Sequence, residues 1–249
     1  MIYDVHVHIG RWLPSFAGSN DALAAQVERA RLHGITRQCI NSLGNTGYLP
    51  DPTLAEVRAA NDHVLEAMET YPDTLLGFCY VNPRHGQAAL AEIERCVVDG
   101  GMVGIKLWIA CKGSDSLVDP ILTRAGQLGV PVLQHAWNKT VGQLEFESTT
   151  ADVAEMGRRH PEVNLIMAHL MGAGARGILD IAPYPNISVD TSGGDPEAGL
   201  LEYAVRTLGA ERILFGSDAP GRSYGVQLGK VLGGSAYPRP ARADSYRQH

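Results

Sequence analysis

Two histidines separated by a single residue lie near the start of the chain, in the sequence DVHVH that begins at Asp4. Residues 2–9 alternate apolar and polar side chains, which predicts a β-strand with Asp4, His6 and His8 on one face. Neutral imidazole is the commonest protein ligand for divalent transition metals, and two imidazoles on one strand keep a fixed separation. The competing interpretation is an edge strand whose polar face carries two solvated histidines.

Further polar residues of this kind follow short apolar runs later in the chain. A single histidine at the end of a strand is more often a hydrogen-bonded structural residue, but coincidence is a poor explanation for several such residues together. Three histidines and an aspartate around one point form the ligand set of a catalytic zinc or a similar divalent ion. The residues at these later strand ends are Lys106, His135, His169 and Asp218, the last in the sequence FGSD.

The roles of two of these residues stay open at this point. His169 is either a ligand, an acid or base, or a group that orients a metal-bound water. Lys106 either forms a salt bridge or, when carbamylated, bridges two metal ions. We assign His169 and Asp218 as the catalytic residues, with Lys106 as the residue that would bridge to a second metal.

The elements that position these residues alternate regularly along the chain. Short, largely apolar runs are each followed by a turn and a helical pattern, which indicates a parallel sheet covered by helices. Eight such units in 249 residues favour a closed (β/α)8 TIM barrel over an open doubly wound sheet, and no GxGxxG follows the first strand. We predict strands at 2–9, 35–42, 75–81, 102–109, 130–135, 163–169, 187–190 and 213–215. We predict helices at 22–33, 53–71, 87–99, 117–128, 148–159, 174–181, 196–208 and 224–232.

This pattern predicts one α/β barrel domain over residues 1–232, with an irregular tail over 233–249. In such a barrel, side chains at the C-terminal ends of different strands converge on one pocket. A divalent ion held there lowers the pKa of a bound water towards neutrality and polarises a carbonyl oxygen. The sequence therefore predicts a metal-dependent enzyme.

Composition excludes several other classes. The formal net charge of −6 and the absence of basic runs argue against a nucleic-acid partner or an anionic membrane surface. No apolar run approaches the roughly 18 residues needed to cross a bilayer. The four cysteines show no CxxC spacing, which favours reduced thiols in a cytoplasmic protein. We expect a small-molecule substrate as the partner, with a homodimer as a further hypothesis.

Five aromatic or basic residues just beyond strand ends predict the character of the substrate. Tryptophans around the mouth of the barrel suit a planar or partly apolar small molecule, and arginines there bind a carboxylate by two hydrogen bonds. Packing of loops by the tryptophans and simple surface exposure of the arginines are the alternatives. The substrate-binding candidates are Trp12, Trp108, Trp137, Arg11 and Arg222.

An ordered set of short motifs resembles the amidohydrolase superfamily. The motifs are DVHVHIG at the start, GIKL around Lys106, QHA around His135, MAHL around His169 and FGSDAP around Asp218. The stretch from Asn61 through VNPRH to Lys106 is similar to the amidohydrolase-related family 2 branch. The resemblance covers about residues 1–232. Members of the family usually continue into a further terminal helix, so that the comparison implies a barrel with a shortened C-terminal helical region here.

This resemblance implies a metal centre and several alternative reactions. It implies a single zinc or manganese ion, zinc being the first expectation, with His169 near the metal-bound water. The family contains hydrolases of amides and lactones, and also non-oxidative decarboxylases and hydratases of aromatic or unsaturated acids. The implied ligands are His6, His8, His135 and Asp218.

Three hypotheses about function follow. The first is a metal-dependent hydrolase that uses activated water to cleave an amide, lactone or related carbonyl bond. The second is a metal-dependent, non-oxidative decarboxylase of an aromatic or unsaturated carboxylic acid. The third is an inactive metal-binding barrel, for which the shortened C-terminus is the only support.

Overall fold

The polar strand ends predicted above belong to a sheet of eight parallel strands that alternates with helices. The structure, a computed structural model, describes residues 1–10, 20–44 and 47–234. The strands are β1 (Ile2–His8), β2 (Ile35–Asn41), β3 (Leu75–Tyr80), β4 (Gly104–Leu107), β5 (Val132–Gln134), β6 (Leu165–Met167), β7 (Ile187–Asp190) and β8 (Ile213–Leu214). The helices are α1 (Asn20–Leu32), α2 (Leu54–Thr70), α3 (Gln87–Ile93), α4 (Asp119–Leu128), α5 (Thr150–Arg159), α6 (Leu170–Ile181), α7 (Leu200–Leu208) and α8 (Tyr224–Gly233).

Backbone hydrogen bonds close this sheet into a barrel. The strands follow one another in chain order from β1 to β8, each parallel to its neighbour. The segment after β8 then pairs with β1, because His8 N donates to Ala219 O at 2.7 Å and Asp218 N donates to His6 O at 2.8 Å. The prediction of a (β/α)8 barrel is confirmed. Because the barrel closes in this way, His6 and His8 near the start of the chain lie beside Asp218 near its end.

Side chains inside the barrel form a small apolar cluster of their own. This cluster is separate from the large core between the sheet and the helices, and its members come from several different strands. Side chains from strands that are not neighbours meet only in the barrel interior, which a (β/α)8 fold fills with packed layers. The members are Phe78, Leu133, Ile166 and Ala168.

One detail of β1 differs from the simple alternation that the sequence predicts. The register against β2 shifts between Asp4 and Val7, which marks a β-bulge with one extra residue on β1. The Asp4 carboxylate accepts backbone hydrogen bonds from Ser217 N at 2.9 Å and His6 N at 3.2 Å. Asp4 is buried, as His6 and His8 are, and the common face of the three residues stays a prediction.

Several predicted boundaries also shift. Most strands are shorter than predicted. As a result His135 and His169 follow β5 and β6 and are not their last residues. Helix α3 ends at Ile93 and continues as a π-helical turn over Glu94–Asp99. Helix α6 begins at Leu170, four residues before the predicted start, and is kinked at Gly174, whose φ is +63°.

Some predictions fall on residues outside the described part of the chain. The tail beyond residue 234 is among these, so its predicted irregular character is not tested. Among the described residues, no helix is long and apolar enough to span a membrane. All four cysteines are free thiols.

Candidate active site

The two ends of the barrel sheet place three ligand-type side chains in direct contact. His6 and His8 come from the end of β1, and Asp218 lies four residues after β8. The Nε2 atoms of the two histidines are 3.1 Å apart, and Asp218 Oδ1 lies 3.2 Å from His8 Nε2 and 3.8 Å from His6 Nε2. All three side chains are almost completely buried. This part of the site is therefore assembled by the closure of the barrel.

The middle strands bring the other predicted residues to the same point. Lys106 Nζ, on β4, lies 3.3 Å from His6 Nε2. His135 and His169 follow β5 and β6, and His135 Nδ1 lies 3.1 Å from His169 Nε2. One ligand atom each from His6, His169 and Asp218 lie within 4.8 Å of one another. The structure thus brings together all the buried site residues that the sequence predicts from the strand ends.

These side chains fit a divalent metal ion. Ligand atoms about 2.1 Å from a tetrahedral ion stand roughly 3.4 Å apart, which is close to the separations among His6, His8 and Asp218. His6 Nδ1 lies 2.8 Å from Asp190 Oδ2, so that the Nδ1–H donates a hydrogen bond to this carboxylate and the lone pair of the neutral ring is at Nε2, facing the cluster. Asp190 also accepts hydrogen bonds from the His169 backbone N–H and the Ser192 hydroxyl. Asp190 therefore orients His6 and anchors the backbone at His169.

Burial sets the protonation states of the site. It lowers the pKa of His8 to about 4 and lowers the pKa of Lys106 to about 8. Burial lowers the pKa of His169 well below its usual value and also lowers that of His135. Burial disfavours ionisation of Asp218, but its hydrogen bond with His8 and the nearby imidazoles outweigh this and lower its pKa. The site therefore holds neutral imidazoles beside a carboxylate, the protonation states that metal ligands need.

The shift of His8 predicts that this histidine destabilises the metal-free protein in mild acid, whereas Asp4, whose pKa burial raises to about 7, acts in the opposite direction. In the unfolded chain His8 takes up a proton near pH 6.5, whereas in the folded chain it does so only near pH 4. The unfolded state binds more protons between these values, so that stability falls as the pH drops from 6.5 to 4, by about 3 kcal/mol for His8. Urea unfolding in the presence of a chelator at several pH values measures this loss. The contribution of His8 is the difference in pH dependence between the wild type and His8→Gln, and the same pH dependence in both would contradict the prediction. His33→Gln, the same substitution at an exposed histidine, should behave like the wild type.

A cavity of about 370 Å³ opens over the cluster, and aromatic side chains form much of its wall. Tyr48 lies against the His8 ring, with centroids 5.4 Å apart, and contacts Trp108 edge to face. Trp137 lies 5.1 Å from the His169 ring, in a place where Gly172 leaves room, since a Cβ there would stand 2.6 Å from the indole. A wall of this kind suits a planar ligand.

Charged side chains complete the cavity. Lys106, Lys139 and Arg222 line it, together with the carboxylates of Asp218 and Glu147. Lys139 Nζ contacts both carboxylate oxygens of Glu147, at 2.8 and 2.7 Å, while Arg222 Nε lies 3.8 Å from Asp218 Oδ2. Three cationic groups therefore face two anionic ones around this cavity.

The predicted substrate-binding residues divide into two groups. Trp108, Trp137 and Arg222 line the cavity, although their contact with a substrate stays a prediction. Arg11 and Trp12 lie outside the described residues. The sequence analysis missed Tyr48, Lys139 and Glu147, which lie in loops without a periodic pattern, and no signal in the sequence marks them.

Comparison with known proteins identifies a family and related structures with the same fold. The amidohydrolase family model matches residues 3–245. A search of curated proteins finds no significant match. Among solved structures, 2,6-dihydroxybenzoate decarboxylase from Rhizobium superposes with a TM-score of 0.73 at 19% identity, over 96% of this chain and 94% of that one.

Two further solved structures show the range of activities on the same fold. A dihydroxybenzoic acid decarboxylase from Polaromonas, with bound manganese and the inhibitor 2-nitroresorcinol, gives a TM-score of 0.71 at 18% identity, over 96% of this chain and 92% of that one. A 4-oxalomesaconate hydratase from Rhodopseudomonas palustris gives a TM-score of 0.65 at 15% identity, over 96% of this chain and 91% of that one. At these identities the structures establish the fold alone. The family match over nearly the whole length, on a (β/α)8 barrel with a buried His/Asp cluster, shows that this chain belongs to the amidohydrolase family.

Proposed function

We propose that this protein is a metal-dependent, non-oxidative decarboxylase of an aromatic or unsaturated carboxylic acid. The observation that carries the proposal is the cavity over the His/Asp cluster, which combines aromatic walls with an excess of cationic side chains. Solved structures with the same fold include decarboxylases of hydroxylated benzoic acids, which supports the same choice. Our first hypothesis from the sequence, a hydrolase, is not confirmed.

The charges of the cavity favour an anionic ligand. Glu147 is neutralised by Lys139, which leaves Lys106 and Arg222 against the single charge of Asp218. The pKa of Lys106 is lowered by burial only to about 8, so that its amine still carries a proton at neutral pH for most of the time. A carboxylate is attracted to this cavity before any metal ion is counted, whereas a neutral lactone or amide gains nothing from the same charges.

Each group of residues has a part in the proposed reaction. The tryptophans and Tyr48 hold the plane of the substrate and exclude water, and Arg222 binds an acidic group near the mouth. The bond from the ring or chain carbon to its carboxyl carbon breaks, its electron pair stays on that carbon, and carbon dioxide leaves. A proton takes the place of the carboxyl group, and we assign its transfer to His169, whose Nε2 takes up a proton from solvent water and passes it to the carbon, which restores the neutral ring, while Nδ1 is held by Ser192 Oγ at 2.9 Å.

The buried cluster provides the place for one divalent ion, and we expect zinc or manganese. When bound, such an ion supplies positive charge that holds the carboxylate and an adjacent oxygen of the substrate. Lys106 Nζ lies 3.3 Å from His6 Nε2 in the structure. Its role as a bridge to a second ion stays a hypothesis, which the number of metal ions per chain tests. Two ions per chain would support the bridge, and one ion would exclude it.

Isotope incorporation separates decarboxylation from hydrolysis. The metal-loaded protein is incubated with hydroxybenzoic acids, unsaturated dicarboxylic acids, lactones and amides in deuterated water enriched in oxygen-18. A decarboxylase releases carbon dioxide and leaves one deuterium on the carbon that carried the carboxyl group, as seen by NMR and mass spectrometry. No carbon dioxide from any acid, together with oxygen-18 in the product of a lactone or amide, would contradict the proposal.

A hydrolase is the second candidate, because the same cluster of neutral imidazoles and a carboxylate also suits the activation of water. The isotope experiment distinguishes the two reactions directly. We also propose a cytoplasmic location, since the four cysteines are free thiols.

A further inference from the structure

The loop between β5 and α5 carries a buried carboxylate, Glu147, that contacts His135 of the cluster. Glu147 is 2% exposed, and its Oε1 lies 2.9 Å from His135 Nε2. Both of its oxygens accept hydrogen bonds from Lys139 Nζ, and Oε2 also accepts one from Leu144 N at 3.2 Å. One carboxylate thus joins an imidazole of the site to a lysine of the cavity wall.

This contact determines which nitrogen of His135 faces the site. An ionised carboxylate only accepts hydrogen bonds, so that His135 Nε2 must carry the proton that it shares with Glu147. In the neutral ring, Nδ1 then holds the lone pair, and this atom lies 3.1 Å from His169 Nε2, towards the cluster. Without a partner at Nε2 the ring is free to turn or to change tautomer.

We propose that Glu147 is a positioning residue, which fixes the orientation and tautomer of His135 so that Nδ1 faces the candidate metal centre. His135, Lys139 and Leu144 N all donate hydrogen bonds to Glu147, so that the carboxylate stays ionised in its buried place even when Lys139 is removed. The inference rests on the proposed function in one respect only, the presence of a divalent ion. It does not depend on which reaction the protein catalyses.

A purely structural role is the alternative, because Glu147 also accepts a hydrogen bond from the backbone of its own loop. Two substitutions separate the roles. Glu147→Gln keeps the size of the side chain and its capacity to hydrogen-bond to Leu144 N, but removes the charge that holds the His135 proton. Lys139→Met removes the other partner of Glu147 and leaves the contact with His135 in place.

Zinc affinity without substrate is the first measurement, made on the full chain by competition with a chromophoric chelator. Carboxylates that orient a metal-binding histidine contribute about 10–100-fold to metal affinity. We therefore expect Glu147→Gln to raise the zinc Kd by about 10–100-fold, and Lys139→Met to change it by less than about threefold. An unchanged Kd in Glu147→Gln, or an equal loss in both variants, would overturn the proposal.

The second measurement is the nitrogen-15 NMR spectrum of the histidine rings in the metal-free protein, with His135 assigned from the spectrum of His135→Asn. The wild type and Lys139→Met should show His135 protonated at Nε2, and Glu147→Gln should show a mixture of tautomers. The same mixture in the wild type would overturn the proposal. A wild type that binds no zinc contradicts the proposed function alone, since the tautomer of His135 is then still measurable.

Discussion

Replacing Asp218 with asparagine is expected to abolish metal binding and activity while the barrel remains folded. The metal content should fall from about one ion per chain to less than about a tenth, and kcat/KM by at least about a thousandfold. The amide lacks the charge that balances a divalent ion. Asparagine is the appropriate substitution because Asp218 has a φ of +58°, a left-handed conformation that asparagine tolerates better than alanine.

Two further variants accompany this experiment, one at His8, the contact partner of Asp218, and one at the protein surface. His8→Ala removes the imidazole that lies 3.2 Å from Asp218 Oδ1 and should give the same loss of metal. Asp73→Asn changes an exposed carboxylate to the same amide and should retain full metal content and activity. Elemental analysis of protein purified without chelator, with circular dichroism to check the fold, provides the measurement. Full activity in Asp218→Asn would show that the site is assigned incorrectly.

The parts of the site on strands were predictable because strand ends in a barrel converge. The two histidines of β1 and the polar residue on β4 follow from local patterns, and the count of eight repeated units determines that these strands meet. Asp218 illustrates the same rule at the last strand, because the barrel closes between the segment after β8 and β1. Residues far apart in the sequence thus became neighbours by topology alone.

The residues that the sequence analysis missed, Tyr48, Lys139 and Glu147, lie on loops and were not predictable. Glu147 is one of 27 acidic residues, and nothing in its neighbourhood of the sequence shows that it will be buried against His135. Tyr48 lies in a loop, and its ring is placed at the site by contacts with His8 and Trp108. The bulge near Asp4 is hidden for another reason, since the extra residue leaves the alternation of residue types unchanged and alters only the register. Loop paths and register depend on long-range contacts, which single-sequence patterns do not contain.

His169 tests the assignment of roles within the cluster. It lies at ligand distance from His6 and Asp218, yet the resemblance to the family places it beside a metal-bound water. We expect His169→Asn to keep most of the metal but to lower kcat by about 10²–10⁴-fold, the usual contribution of a positioned acid or base. Asparagine again suits the backbone, because His169 has a φ of +73°.

The contacts of His169 argue for the proton-transfer role over the ligand role. Its Nδ1 lies 2.9 Å from the Ser192 hydroxyl, which holds the ring so that Nε2 points to His135 and to the cavity under Trp137. Ser192→Ala removes this orienting contact and should lower kcat with little change in KM. The metal content should also change little, because Asp190 keeps its contacts with His6 Nδ1 and His169 N when it loses the Ser192 hydroxyl. Metal content and kcat are measured on the same preparations. If His169→Asn loses its metal as completely as Asp218→Asn, His169 is a ligand, and the proton must come from another group at the cavity.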